Sequence, residues 1–233
     1  MSGQTAYAAQ GLSNAEDTFT GVGIEQLAVK AFVTQNQKKT EVNNIKIEKV
    51  KPNIFYESYI SNSDIADIYE ITTEMGVSLT SSGTVILQEP NNDYFDDADY
   101  TYYSILRIAY KDAPEGLIGK TIRVISHSGQ FVRKTGSTAR NVDELHIIGT
   151  IYAMDFGANG TNYTPMDLPV QYENDRIVNN PTSGTQYFVY PTTSNYFWTN
   201  AFNTFVRTRM FITVDGEETP PLDMEISNYY YGP

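Results

Sequence analysis

Ile105-Leu106-Arg107-Ile108-Ala109-Tyr110, then Asp112-Ala113-Pro114-Glu115-Gly116, then Thr121-Ile122-Arg123-Val124-Ile125-Ser126: two apolar runs flank a polar segment containing Pro and Gly. Each run is too short for a helix of ordinary length and is rich in β-branched and aromatic residues, so the stretch reads as a β-hairpin. A second stretch repeats the pattern. Val206-Arg207-Thr208-Arg209-Met210-Phe211-Ile212 meets an acidic, Pro-containing turn and returns through Leu222-Asp223-Met224-Glu225-Ile226-Ser227. The parallel raises the idea of internal duplication, although no solenoid period supports it.

Working outward, the same patterning continues from residue 44 onward. Ile45 and Ile47 alternate with Lys46 and Glu48 before Pro52. Further strands are predicted at Ile65–Thr72, Thr84–Gln88, Tyr102–Tyr110, Lys120–Ser126, Leu145–Met154, Gln186–Tyr190, Phe205–Val214 and Leu222–Ile226. Turn clusters such as Ser81-Ser82-Gly83, Asn159-Gly160 and Asp215-Gly216 separate them. The expected fold is all-β, a β-sandwich or jelly roll with at most one or two short helices. Residues 1–43 are read as an N-terminal arm with a possible short helix, and residues 44–233 as a single domain. Between Val22 and Thr34 helical and strand periods coexist, with the helix slightly favoured.

Composition agrees. Eighteen Tyr and 19% charged residues suit pleated, half-buried surfaces, and 40% apolar residues suffice for a core. No cysteine is present, which excludes disulfides, thiolate zinc sites and a cysteine nucleophile. Met1-Ser2-Gly3-Gln4-Thr5 carries no secretory pattern, and no apolar run has the length of a membrane-spanning helix. A soluble, unsecreted protein with no membrane partner is expected. The net charge of -12 argues against broad nucleic-acid binding. Charge is also segregated: Pro52 to Leu106 holds ten carboxylates and no Lys or Arg, whereas Arg107 to Arg140 holds seven bases and two acids. Such blocks suit docking between copies, or an ordinary solvated surface.

Signals for chemistry are weak. A Ser-His-acid triad needs a histidine between a nucleophile and a carboxylate, and only His127 and His146 exist. The serines beside His127 in Ser126-His127-Ser128 alternate to the opposite face of a strand or fall in a turn, and His146 reads as a polar neighbour of Asp143 and Glu144. No Gly-x-Ser-x-Gly, HExxH or phosphate-loop motif occurs. The acidic run from Glu89 to Tyr100 could supply oxygen ligands to calcium. The favoured reading is an exposed loop anchored by Tyr94, Phe95 and Tyr100. Asn159-Gly160-Thr161 and Asn162-Tyr163-Thr164 match glycosylation acceptors formally but read as turns. No catalytic, cofactor or metal residue is assigned. The loops Asn159–Pro169 and Asn179–Thr185 are expected to carry contacts, and Tyr196-Phe197-Trp198 and Tyr229-Tyr230-Tyr231 to pack against partners.

In its polar N-terminal arm, Cys-free β-rich body, Asn/Thr/Tyr-heavy loops and aromatic tail Tyr229-Tyr230-Tyr231, the chain resembles virion structural proteins of icosahedral viruses and tailed phages. The resemblance is one of style over the whole chain. It implies a non-enzymatic subunit of a capsid, vertex, collar or tail, assembled in the host cytoplasm with copies of itself and other virion proteins. A carbohydrate- or receptor-binding β-sandwich is the alternative, with Trp198, Tyr196 and Tyr163 as stacking platforms for a glycan. A carboxylate-based hydrolase ranks below both.

Overall fold

The computed structural model describes residues 27–51, 66–79, 85–88, 98–112, 120–134, 141–155, 170–191 and 199–227. Thirteen strands and no helix are found among the described residues. In chain order they are β1 (Val29–Gln35), β2 (Lys38–Val42), β3 (Lys46–Val50), β4 (Asp67–Leu79), β5 (Val85–Gln88), β6 (Tyr100–Asp112) and β7 (Lys120–Arg133). They continue with β8 (Val142–Asp155), β9 (Val170–Asn179), β10 (Tyr187–Val189), β11 (Thr199–Val214), β12 (Glu217–Glu218) and β13 (Leu222–Ser227).

The strands form two antiparallel sheets packed face to face, a β-sandwich. In sheet I, β3 and β5 share one edge of β4, then come β6 and β7, with β10 on the far edge of β7. Sheet II has the order β2-β1-β13-β11-β8-β9. Strand β11 belongs to both: Thr199 and Asn200 pair with Ile122 and Thr121 of β7 before the strand passes into sheet II.

Period-2 alternation builds the core. On β11 the even-numbered residues Val206, Met210, Ile212 and Val214 are buried inward, opposite Ile147, Leu145 and Val142 of β8. From sheet I, Tyr69 and Ile71 of β4 with Leu106 and Ile108 of β6 pack in one cluster with Val206, and Met75, Val77, Tyr102 and Phe131 in a second with Met210, Ile212 and Val214. Tyr102, fully buried, donates its hydroxyl to Pro220 O at 2.9 Å, which ties the two sheets with a satisfied polar group. At the crossing from β2 to β3, Asn44 Nδ2 donates to Glu74 O (2.7 Å) and its Oδ1 accepts from Thr73 Oγ1 (3.0 Å). One amide thereby pins the chain where it changes sheets.

Both hairpins read from the sequence are present. Strands β6 and β7 pair from Tyr100↔Arg133 to Asp112↔Lys120, and β11 and β13 from Phe205↔Ser227 to Met210↔Leu222. The helix favoured within Val22–Thr34 is replaced, from Val29 onward, by β1. Val29, Ala31 and Val33 are buried while Lys30 is exposed, and the strand pairs with β13 and β2. The long-range partner decides what the local period left open. Residues 29–42, grouped in the sequence reading with the arm, are thus sheet strands. The sequence also gave no signal for β9, whose Tyr172-Glu173-Asn174-Asp175-Arg176 has no apolar alternation. The segments 1–26 and 228–233, including Tyr229-Tyr230-Tyr231, lie outside the described residues.

Candidate functional site

Among the described residues three places concentrate polar chemistry. The first is buried. In β7 one extra residue interrupts the register: Arg107 faces Ser126 and Ile108 faces Val124, leaving Ile125 as a β-bulge. Before the bulge Ile122 and Val124 face the core; after it the odd-numbered His127, Gly129 and Phe131 do. The extra residue is what turns His127 inward. There its Nδ1 lies 2.9 Å from Thr208 Oγ1 in a hydrogen bond. The ring covers Gly149, where a Cβ would fall 2.2 Å from His127 Cδ2. Burial drives the His127 pKa down to about 3, so the imidazole is neutral. Ser126 and Ser128 occupy the opposite face, as alternation predicts, and Ser128 Oγ accepts from Gln186 Nε2 at 2.8 Å. His127, Ser126 and Ser128 are therefore not brought into a triad. His146 lies apart on β8, edge-on to Phe211 and 3.4 Å from Asp175 Oδ2, rather than against Asp143 or Glu144.

A second polar concentration is a cleft of about 280 Å³ at one end of the sandwich, between the start of β6, the end of β7, the start of β8 and the loop after β9. Its walls include Tyr100, Phe131, Arg133, Asn141, Asn180 and Ser183. The loop from 180 to 186 is laced to the strands around it. Asn180 N donates to Asp143 O (2.7 Å), Gly184 N to Phe131 O (2.8 Å), and Gln130 Nε2 to Gly184 O (2.7 Å). Arg133 N donates to Ser183 Oγ (2.9 Å), and Thr182 N to the Tyr187 hydroxyl (2.8 Å). Asn180 and Gly184 both have left-handed backbone, at φ 49° and 79°. Asn tolerates that region better than most side chains, and Gly enters it without penalty. Arg133 Nη1 donates to Asn141 Oδ1 at 3.4 Å.

The third is the outer face of sheet II, where registers across four strands place side chains in rows. One row runs Glu225–Arg207–Thr150–Glu173, a second Asp223–Arg209–Ile148–Asp175, and a third Phe211–His146–Ile177. Arg209 donates from Nε (2.7 Å) and Nη2 (3.0 Å) to the carboxylate of Asp223, whose side chain is fully buried. That pairing raises the Arg209 pKa. Lys39 Nζ lies 3.2 Å from Glu225, and Thr150 Oγ1 donates to Glu173 at 3.1 Å. Ile177 is 51% exposed beside these charges.

Sequence reasoning found part of this. The loop Asn179–Thr185, marked for contacts, supplies Asn180 and Ser183 to the cleft, and Tyr100, marked as an anchor, is buried in its wall. Asn141 and Phe131 were missed, because neither stands in a recognisable motif. Of the segregated charges, Glu70 and Arg107 meet within the chain as an ion pair between β4 and β6. Residues 89–97, 156–169 and 192–198 lie outside the described residues, and with them most of the acidic run, the formal glycosylation acceptors, Tyr163, Tyr196 and Trp198. Among the described residues no three His, Asp or Glu side chains are grouped so as to hold a metal ion. Comparison with known protein families, with curated proteins and with solved structures gives no match.

Proposed function

We propose that this chain is a non-enzymatic structural subunit of a virus or phage particle, joined to copies of itself and to other virion proteins through its sheet faces. The observation that carries the reading is the outer face of sheet II. Arg207 and Arg209, the half-buried Phe205 and the exposed Ile177 share that face with the exposed carboxylates Glu173 and Asp175 of β9, beside the buried Phe211, Asp223 and Glu225. Arginine and aromatic residues are the types enriched in protein interfaces, and rows holding both signs of charge complement a second charged surface.

The edges of the same sheet support contact by face rather than by strand addition. Lys38, Lys39 and Glu41 are exposed on β2, and Glu173, Asp175 and Arg176 on β9. Charged edge strands resist pairing with a further strand. On sheet I, carbonyls of β10 and of the residue after it are capped from β9: Arg176 Nη1 donates to Phe188 O (3.0 Å) and Asn174 Nδ2 to Tyr190 O (3.1 Å). Such a body adds neighbours by surface complementarity, as an ordered particle requires, instead of by open-ended sheet growth. The particle, assembled in the host cytoplasm, is then its location.

Size-exclusion chromatography with mass measurement, followed by electron microscopy, tests the reading. Wild-type protein is expected to form defined multimers, and Ile177→Lys to shift them toward monomer while leaving the circular dichroism spectrum unchanged. A wild-type chain that stays monomeric up to about 100 μM, a concentration that saturates even micromolar contacts, and shows no assemblies would refute it.

A further inference from the structure

We propose that the outer face of sheet II is closed by a second copy of this chain, turned about a two-fold axis parallel to the strands. The inference rests on the assembly reading and adds to it which partner the face takes and in what orientation.

Across the sheet the registers set outward side chains in continuous rows. One runs Lys30–Glu225–Arg207–Thr150–Glu173, and the next Glu41–Phe32–Asp223–Arg209–Ile148–Asp175. The order of signs decides the orientation. Asp223 and Glu225 make β13 acidic on this face, and Arg207 and Arg209 make β11, beside it, basic. Farther out, β8 and β9 carry Glu144, Glu173 and Asp175, whereas β1 and β2 carry Lys30 and Lys39 with Glu41.

Sheets packed face to face keep their strands within about 30° of one another, so a two-fold axis lies either across the strands or along them. An axis across the strands lays each strand on its own counterpart, arginines over arginines and acids over acids. An axis along the strands, between β11 and β13, lays β11 on β13, β8 on β1 and β9 on β2. The arginines then approach the acidic strand, Phe32 meets Ile148, and Lys30 comes within a side chain's reach of Glu173. Glu41 is set beside Asp175, a like-charged approach that Lys39 on the same strand offsets. Complementary charge thus selects the second placement and excludes the first.

The groups that make the contact are open. The side chains of Glu173 and Asp175 are 58% and 63% exposed, and Lys30 and Ile177 are exposed as well. Asp223 and Glu225 lie buried under them as anchors. Arg209 makes two bonds to Asp223, and Lys39 Nζ stands 3.2 Å from Glu225 and 4.5 Å above the Phe32 ring. Charges held this way lose little freedom on docking. Strands about 4.8 Å apart, and the run Phe205–Thr213 of β11, give the face a span of about 30 Å each way. That is comparable to the roughly 800 Å² each partner contributes to a stable interface.

The test uses the full chain and two substitutions at exposed positions, Lys30→Glu and Glu173→Lys, with circular dichroism to check that each keeps its fold. Sedimentation equilibrium is expected to show a wild-type dimer, alone or as the unit of larger multimers, that weakens as salt rises. In a two-fold pair each substitution acts twice, so either variant alone should raise the dimer dissociation constant about tenfold. Mixing the two variants sets opposite charges together at both contacts. With one partner labelled with ¹⁵N, native mass spectrometry should then show the mixed dimer outnumbering either homodimer. A chain carrying both substitutions should pair as the wild type does, which keeps the test decisive where one substitution alone disturbs folding. Multimers that salt and both single substitutions leave unchanged overturn this inference and leave the face to a different protein, while the assembly reading stands. A mixture that pairs no better than its separate variants also overturns it. A wild-type chain that stays monomeric overturns both.

Discussion

Gly149 carries no side chain because His127 fills the space where one would go. Gly149→Ala is therefore expected to lose about 1–3 kcal/mol through overpacking. Combining it with His127→Ser should recover part of the loss, so that the double variant is more stable than the sum of the two changes implies; urea denaturation measures both. The same histidine sets an acid limit. Burial holds its folded pKa at about 3, against about 6.5 in an unfolded chain. Below pH 6.5 the unfolded chain then binds one proton more than the folded chain. The contribution is complete above 6.5 and is lost as the pH falls toward 3, at about 1.4 kcal/mol per unit. His127→Gln should remove that slope between pH 6 and pH 5, and a variant that keeps the full slope rejects the assignment to His127. Of the two readings the sequence left for Ser126 and Ser128, a turn or the strand face opposite His127, the second holds. Which face was interior could not be read, because nothing in Thr121–Ser126 announces that Ile125 is an extra residue.

The elements differ in how openly the chain declares them. Strands β6 and β7 were legible as short apolar runs rich in β-branched residues, and β11 and β13 by apolar–polar alternation, each beside a strong turn, and the turns join strands that truly pair. Strand β9 was not. Its exposed residues Glu173, Asp175 and Arg176 serve the outside of an edge, so only its pairing with β8 makes it a strand. In β1 the helical and extended periods overlap, and pairing with β13 selects the extended one. The outer face of sheet II depends on one pair in particular. Asp223 has no solvent of its own, so Asp223→Asn leaves the Arg209 guanidinium facing a neutral amide. A loss of about 2 kcal/mol is expected, and in a thermal melt it appears as a lower midpoint. Arg209→Met should cost more than the Asn variant, since it strands a fully buried carboxylate. Equal midpoints for both variants and wild type would mean that the pair contributes nothing.

At the scale of the whole molecule the sandwich was legible and its wiring was not. Alternation shows that a strand has an inner and an outer face, yet carries no address for its neighbour. The cleft shows this best, since it gathers Tyr100, Phe131, Asn141 and Ser183 from four separate parts of the chain. Two of the five strand pairs in sheet II, β1 with β13 and β8 with β11, join distant segments, so refolding is expected on the millisecond-to-second scale of non-local β topologies, which stopped-flow fluorescence of the Tyr-rich core can follow. The pairing of β1 with β13 carries this furthest: Val29 faces Ile226 across roughly two hundred residues, and Ser227 N donates to Ala28 O at 3.2 Å. On a ribosome adding about 5–20 residues per second, the opening hairpin of β1 and β2 waits many seconds for the strand that separates it from β11. A chain cut short before Leu222 never closes sheet II and keeps two apolar strand edges open to chaperones and proteases. Completion of the fold thus acts as a length check, admitting to any later partner only copies translated past Ser227.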